Sequence, residues 1–109
     1  MKAKHFTHQA TANIQQTSAY IAADNEAAAL RFQNACRDTF LSLPDTLLPR
    51  RASQRLPAHV RTLNVRGFRG YTLRIAVFED AVYLLNAFAP GLSEAAKNRS
   101  SRRALGELD

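Results

Sequence analysis

The run from Ala19 to Leu43 constrains the fold more tightly than any other part of the chain, because it holds the corner and second arm of a helical hairpin. Asp24 and Asn25 carry short oxygen-bearing side chains that accept hydrogen bonds from the first free N–H groups of a helix, which puts the break between two helices there. Upstream, Ala10, Ile14, Thr17 and Ile21 recur at helical spacing; downstream, Ala29, Phe32, Cys36, Phe40 and Leu43 form a second stripe. Two short amphipathic helices therefore meet through a tight turn, and each has an apolar stripe to bury. The second must stop near Pro44, since proline supplies no N–H to the helical ladder and disfavours helical geometry in the residue before it.

The rest of the chain supplies a sheet for those stripes. Lys2 to Phe6 reads as a short edge strand, with Thr7 as the N-cap that launches the first helix at about His8. Between Pro44 and Pro57, three prolines, scattered Ser and Gln and the Arg50-Arg51 pair argue for a connecting loop. Val60 to Arg66 reads as a strand, and Gly67-Phe68-Arg69-Gly70 as a turn whose glycines can take positive φ. Tyr71, Leu73, Ile75 and Val77 then alternate with Thr72, Arg74, Ala76 and Phe78, giving a strand with one fully apolar face. Glu79-Asp80 marks a hairpin. Val82 to Phe88 is apolar on both faces apart from Asn86, the pattern of an enclosed strand. After Pro90-Gly91, Leu92 to Leu108 reads as a last helix with Ser93 as N-cap and its positive charge toward the C-terminal half, where it suits the helix dipole. Its apolar stripe is thin, so it is expected to fray or to order on binding. The expected fold class is α+β: an N-terminal edge strand, a helical hairpin packed on a small, mainly antiparallel sheet, and a C-terminal helix or tail over residues 91–109.

At 109 residues and 46% hydrophobic content the chain supports one core, and a single domain over residues 1–109 is expected. A formal charge of +6 predicts attraction to nucleic acid, an acidic protein or an anionic membrane surface, without choosing among them. The charge is uneven. Residues 1–49 hold four Lys or Arg against four Asp or Glu, whereas Arg50, Arg51, Arg55, Arg61, Arg66, Arg69 and Arg74 occupy a stretch free of acidic residues. Arginine pairs bidentately with carboxylate or phosphate, so the cluster reads as a binding surface, with Arg61, Arg66, Arg69 and Arg74 as its target- or nucleic-acid-binding residues. A lone cysteine forms no internal disulfide, no secretory leader is evident, and no apolar run reaches the roughly 20 residues that span a bilayer; a cytoplasmic, membrane-free protein is expected. His5, His8 and His59 lack metal-ligand spacing with one another or with Cys36, so no metal and no cofactor are expected. Cys36, on the stripe with Phe32 and Phe40, reads as a small buried hydrophobe, and Tyr20 at the hairpin corner as core.

Tyr20-Ile21-Ala22, Asp24-Asn25 and the Ala-rich helix through Arg31-Phe32, set between a short strand and a basic segment with two apolar strands, resemble the RelE/ParE superfamily of bacterial toxins, and the ParE branch most. The resemblance covers about residues 2–90. It implies the toxin of a type II toxin–antitoxin pair that inhibits DNA gyrase and is neutralised by a cognate acidic antitoxin. The alternative it carries is a RelE-like or HigB-like nuclease that cuts messenger RNA on the ribosome. Such nucleases place basic groups around the scissile phosphate on the sheet and just after the last strand. Phe88 to Glu94 has no basic residue, and the tail has neither Tyr nor His, so no catalytic residue is assigned. Arg61, Arg66, Arg74 and Tyr83 are the residues from which an active site would have to be assembled.

An antitoxin site is expected from what such a fold would leave exposed, unpaired sheet edges and a shallow groove on the Ala-rich helix. Ala28 and Phe32 on the Ala-rich helix and Leu84, Asn86 and Phe88 on the last strand are the expected contacts, with a strand added near Val82 to Phe88 and a helix laid against the hairpin.

Overall fold

The computed structural model describes residues 1–108. Strand β1 (Ala3–Phe6) runs into α1 (His8–Ala22) and α2 (Glu26–Leu41); β2 (Arg50–Arg51), β3 (Val60–Asn64), β4 (Thr72–Val77), β5 (Ala81–Phe88) and α3 (Glu94–Gly106) follow. Each helix starts where a capping side chain predicts: Thr7 Oγ1 accepts from Ala10 N, Asn25 Oδ1 from Ala28 N and Ser93 Oγ from Ala96 N. Thr7 does more than cap. Its hydroxyl also donates to Leu84 O at 2.9 Å, so the start of α1 is fixed to β5 in a buried position.

The sheet order is β1-β5-β4-β3-β2. Neighbours are antiparallel except for β1, which lies parallel to β5 with Ala3 opposite Ala81 and Phe6 opposite Leu84. β1 and β5 are not joined by a hairpin turn: two helices and three strands separate them, so their pairing is free of the antiparallel sense that a tight turn imposes. This topology corrects one expectation. Strand β5 has no free edge near Val82 to Phe88, because β1 covers Ala81 to Leu84 on one side, β4 lies on the other, and Asn13 Oδ1 accepts from Ala87 N beyond the end of β1. A partner strand has no place to pair there. The segment read as a loop also holds a two-residue strand, β2, too short to leave an alternating pattern.

The α1–α2 hairpin covers one sheet face. Ala10, Phe32, Cys36 and Phe40 from the helices meet Val65, Leu73, Ile75, Val82, Leu84 and Ala87 in one buried cluster. Phe32 and Phe40 are fully buried, and loss of either ring to Ala would cost about 3–5 kcal/mol. Burial pushes the Cys36 thiol up to about 12, in keeping with a packing role. Tyr20, in contrast, is 80% exposed, on the rim of a shallow surface cleft with Tyr71, Ala89 and Pro90, so its ring is surface and not core. Gly67 and Gly70 both adopt φ of +83°, which supports the turn between β3 and β4.

The opposite sheet face is covered by α3, where Leu56, Val60, Ala76, Leu85 and Ala104 form a smaller cluster. The last helix is thus docked, and its thin apolar stripe is supplemented by polar contacts. No helix is long and apolar enough among the described residues to cross a membrane.

Candidate interaction site at the C-terminal helix

A β-bulge builds the polar part of this site. Arg74 pairs with Asn86 but Ile75 pairs with Leu84, so Leu85 is an extra residue on β5. Such a bulge lets two successive side chains share one face. Leu85 packs toward Ala104 of α3 and Asn86 bonds to α3 as well, whereas strict alternation would have turned Asn86 into the hairpin core.

Asn86 has no exposed surface and joins three elements. Its amide nitrogen donates to Asn13 Oδ1 of α1 at 3.1 Å and to Ser100 Oγ of α3 at 2.9 Å, and its Oδ1 accepts from Ser101 Oγ at 2.8 Å. Beside it, Arg74 is only 3% exposed. Its Nη1 donates to Asn98 Oδ1 at 2.7 Å and to Ser101 Oγ at 3.3 Å, its Nη2 meets Glu94 Oε2 at 3.1 Å, and its guanidinium carbon lies 5.5 Å from the centre of the Phe88 ring. A buried guanidinium needs its donors satisfied and its charge opposed, and α3 supplies both. Glu94 is also paired with Lys97 at 3.1 Å. The Lys97 hydrogen bond, helped by the charges of Lys97 and Arg74 and partly opposed by burial, holds the Glu94 carboxyl below its ordinary value of 4.5.

The far end of α3 is held differently. Glu107, its C-cap, accepts from the backbone N–H groups of His8 and Gln9 at 2.7 and 2.9 Å. These are free donors at the first turn of α1, where the helix dipole favours an anion. The helix is thus tied at one end by Arg74 and at the other by the start of α1.

The four arginines expected to form one surface are dispersed. Arg74 is buried under α3, because even-numbered residues of β4 face that helix, and it is unavailable to a target in this conformation. Arg61 is half-buried on the adjacent strand β3, opposite Ile75 and so on the sheet face away from Arg74, and donates to Pro49 O at 3.3 Å. Arg66 is exposed after β3, with its Nη2 bonded to Ser42 Oγ at the end of α2. Arg69 is exposed in the glycine turn. Among the expected antitoxin contacts, Phe32, Leu84 and Asn86 are 0% and Phe88 is 4% exposed, so only Ala28 presents surface in the free chain. Phe32, Leu84 and Phe88 are buried in the interior, and Asn86 is held by side chains of α1 and α3. Glu94, Asn98, Ser101 and Glu107 were missed. The repeat of Asn98, Ser101 and Ala104 every third residue was the available signal, a stripe of small and polar groups where a greasy one was sought.

No family model matches the sequence, and no curated protein matches it either. Among solved structures, a chain of the chromosomal ParDE toxin–antitoxin system of P. aeruginosa is similar with a TM-score of 0.65, over 84% of this chain and 98% of that one, at 18% sequence identity. The fold is that of this ParDE-system chain. Within that fold, the strand, hairpin and sheet stand in the order that the sequence led us to expect. On the sheet face that α3 covers, Arg74, Asn86 and Phe88 are engaged in internal contacts.

Proposed function

We propose that this chain is the toxin of a type II toxin–antitoxin pair, that it acts in the ParE manner by binding DNA gyrase, and that a cognate acidic antitoxin neutralises it. The fold supports a toxin of this general kind. The observation that carries the choice of a binder over a nuclease is the occupation of the sheet face by α3. Arg74 is held by Glu94, Asn98 and Ser101, while Arg66 and Arg61 lie at separate places, so the basic groups do not converge on a site for a scissile phosphate. Phosphodiester cleavage requires such convergence, because charge develops on the phosphoryl oxygens in the transition state.

For the antitoxin, the outer groove of the hairpin replaces the buried positions. It is lined by Phe6, Thr11, Ile14, Gln15, Gln33, Asn34 and Arg37, with Phe6 38% exposed at the end of edge strand β1. An amphipathic helix with acidic flanks would lie there, opposite Arg37 and the net charge of +6. The test of target class is direct. Purified protein is expected to inhibit gyrase supercoiling and to leave ribosome-bound messenger RNA intact. Cleavage of that RNA with supercoiling unaffected would replace this reading by the ribosome-dependent nuclease.

A further inference from the structure

A row of rings lies at the end of the sheet below α3. The His59 and Phe78 rings are 4.9 Å apart, Phe78 and Tyr83 are 5.8 Å apart edge to face, and His5 stacks on Tyr83 at 4.8 Å. Phe78 is 37% exposed, high for a phenylalanine in a well-packed sheet. With Arg102, Leu105 and Leu108 of the C-terminal segment, Phe78 and His59 line a cleft of about 540 Å³, well inside the size range of ligand sites.

The cleft opens onto arginine. Arg99, Arg102 and Arg103 stand at spacings of three and four along the outward side of α3, so they are neighbours on one surface. Arg102 donates to Arg55 O at 3.1 Å, which brings the exposed Arg55 loop against the same surface. No carboxylate lies within ion-pair distance of these four among the described residues, whose ion pairs involve Arg74, Lys97, His8 and the N-terminus. The acidic pair Glu79-Asp80 follows Phe78 in the turn between β4 and β5, so an anionic chain is favoured on the side of Phe78 that leads to Arg102 and Arg55.

We infer that this cleft and arginine track bind single-stranded nucleic acid, with a base stacked on Phe78 and the following phosphates along Arg102, Arg55 and Arg99. Charge alone would suit an acidic protein equally. The exposed ring beside the charge is what favours unpaired bases, because stacking platforms flanked by cations are the means by which single strands are held without sequence preference. Duplex DNA keeps its base faces covered and offers the ring nothing. The site is separate from the hairpin groove, and its occupancy is read without gyrase, ribosome or antitoxin, so it stands or falls apart from the proposed toxin target.

Fluorescence anisotropy of the full chain with a labelled oligo-dT strand tests it. Binding is expected to be tighter than to a duplex of equal length. Phe78→Ala should weaken it by roughly 5- to 100-fold, the range of one lost stack. Phe78→Leu, which keeps the apolar volume, should weaken it too, with an unchanged circular dichroism spectrum showing that the fold is intact. Replacing Arg55, Arg99 and Arg102 by Gln should lower the slope of log affinity against log salt by roughly 2. Absence of binding at low salt, full affinity in both Phe78 variants, or equal affinity for duplex or for polyglutamate would overturn the inference, the last in favour of an acidic protein surface.

Discussion

Ser101 Oγ donates to Asn86 Oδ1 across 2.8 Å, and neither residue has any exposed surface. The bond links the C-terminal helix to an interior strand where no water can stand in for a missing partner. Asn86→Ala would leave Asn13, Ser100 and Ser101 each short of one partner, at a cost of about 1–3 kcal/mol. The expected reading is a lower urea midpoint with an unchanged m-value. An unchanged midpoint would mean that the network contributes nothing to stability.

Acid should loosen α3 through Glu94. Its carboxyl titrates lower in the folded chain than in the unfolded one, so the ion pair is stabilising at neutral pH and that stabilisation disappears as pH falls through the folded value, below 4.5. Because Glu94 is 65% exposed, the effect is small, on the order of 1 kcal/mol or less. Glu94→Gln is expected to lower the melting temperature at pH 7, by a margin that shrinks steadily as the pH falls below 4.5. A deficit that does not change with pH would show that packing and not charge is at work.

Arg74 and Arg66 should behave in opposite ways. Arg74→Gln strips a buried network of its charge, takes the guanidinium donor from Asn98 and leaves Glu94 with Lys97 alone, so destabilisation of about 2 kcal/mol or more is expected in thermal unfolding. Arg66→Gln combined with Arg69→Gln changes exposed groups and should stay within about 0.5 kcal/mol of the parent. If toxicity on expression falls in the second variant while folding is unchanged, Arg66 and Arg69 contact the target. Full toxicity would remove them from that role.

Cys36 should be inert in the native state. It has no exposed surface and its thiol is pushed up to about 12, so almost no thiolate exists at pH 8. A disulfide-exchange reagent such as Ellman's is expected to label it only as fast as the protein opens, and labelling should track urea-induced unfolding. Rapid stoichiometric reaction in buffer would contradict the burial.

The parts of the fold that announce themselves in the sequence are those governed by local chemistry. Thr7, Asn25 and Ser93 cap helices because a hydroxyl or amide at that position satisfies orphan donors whatever surrounds it. The alternation of Leu73, Arg74 and Ile75 shows a strand for the same reason. The parallel alignment of β1 on β5 and the bulge at Leu85 are long-range choices, and they decide which residues can serve a partner. Charge was the most misleading signal. Arg74 looks like its six neighbours in sequence, and only the fold shows that it points at Asn98 and Ser101 and not at solvent.

The pairing of Ala3 with Ala81 also has a meaning for synthesis. The strand made first has its hydrogen-bonding partner among the last quarter of the chain, so throughout most of translation β1 and the apolar faces of the hairpin have nothing to close against. A chain cut short before β5 lacks the element that β1, β4 and α3 all pack upon. A copy that ends before β5 therefore cannot close its core and stays open to proteolysis, so whatever activity the finished surface carries arises only when the chain is nearly complete.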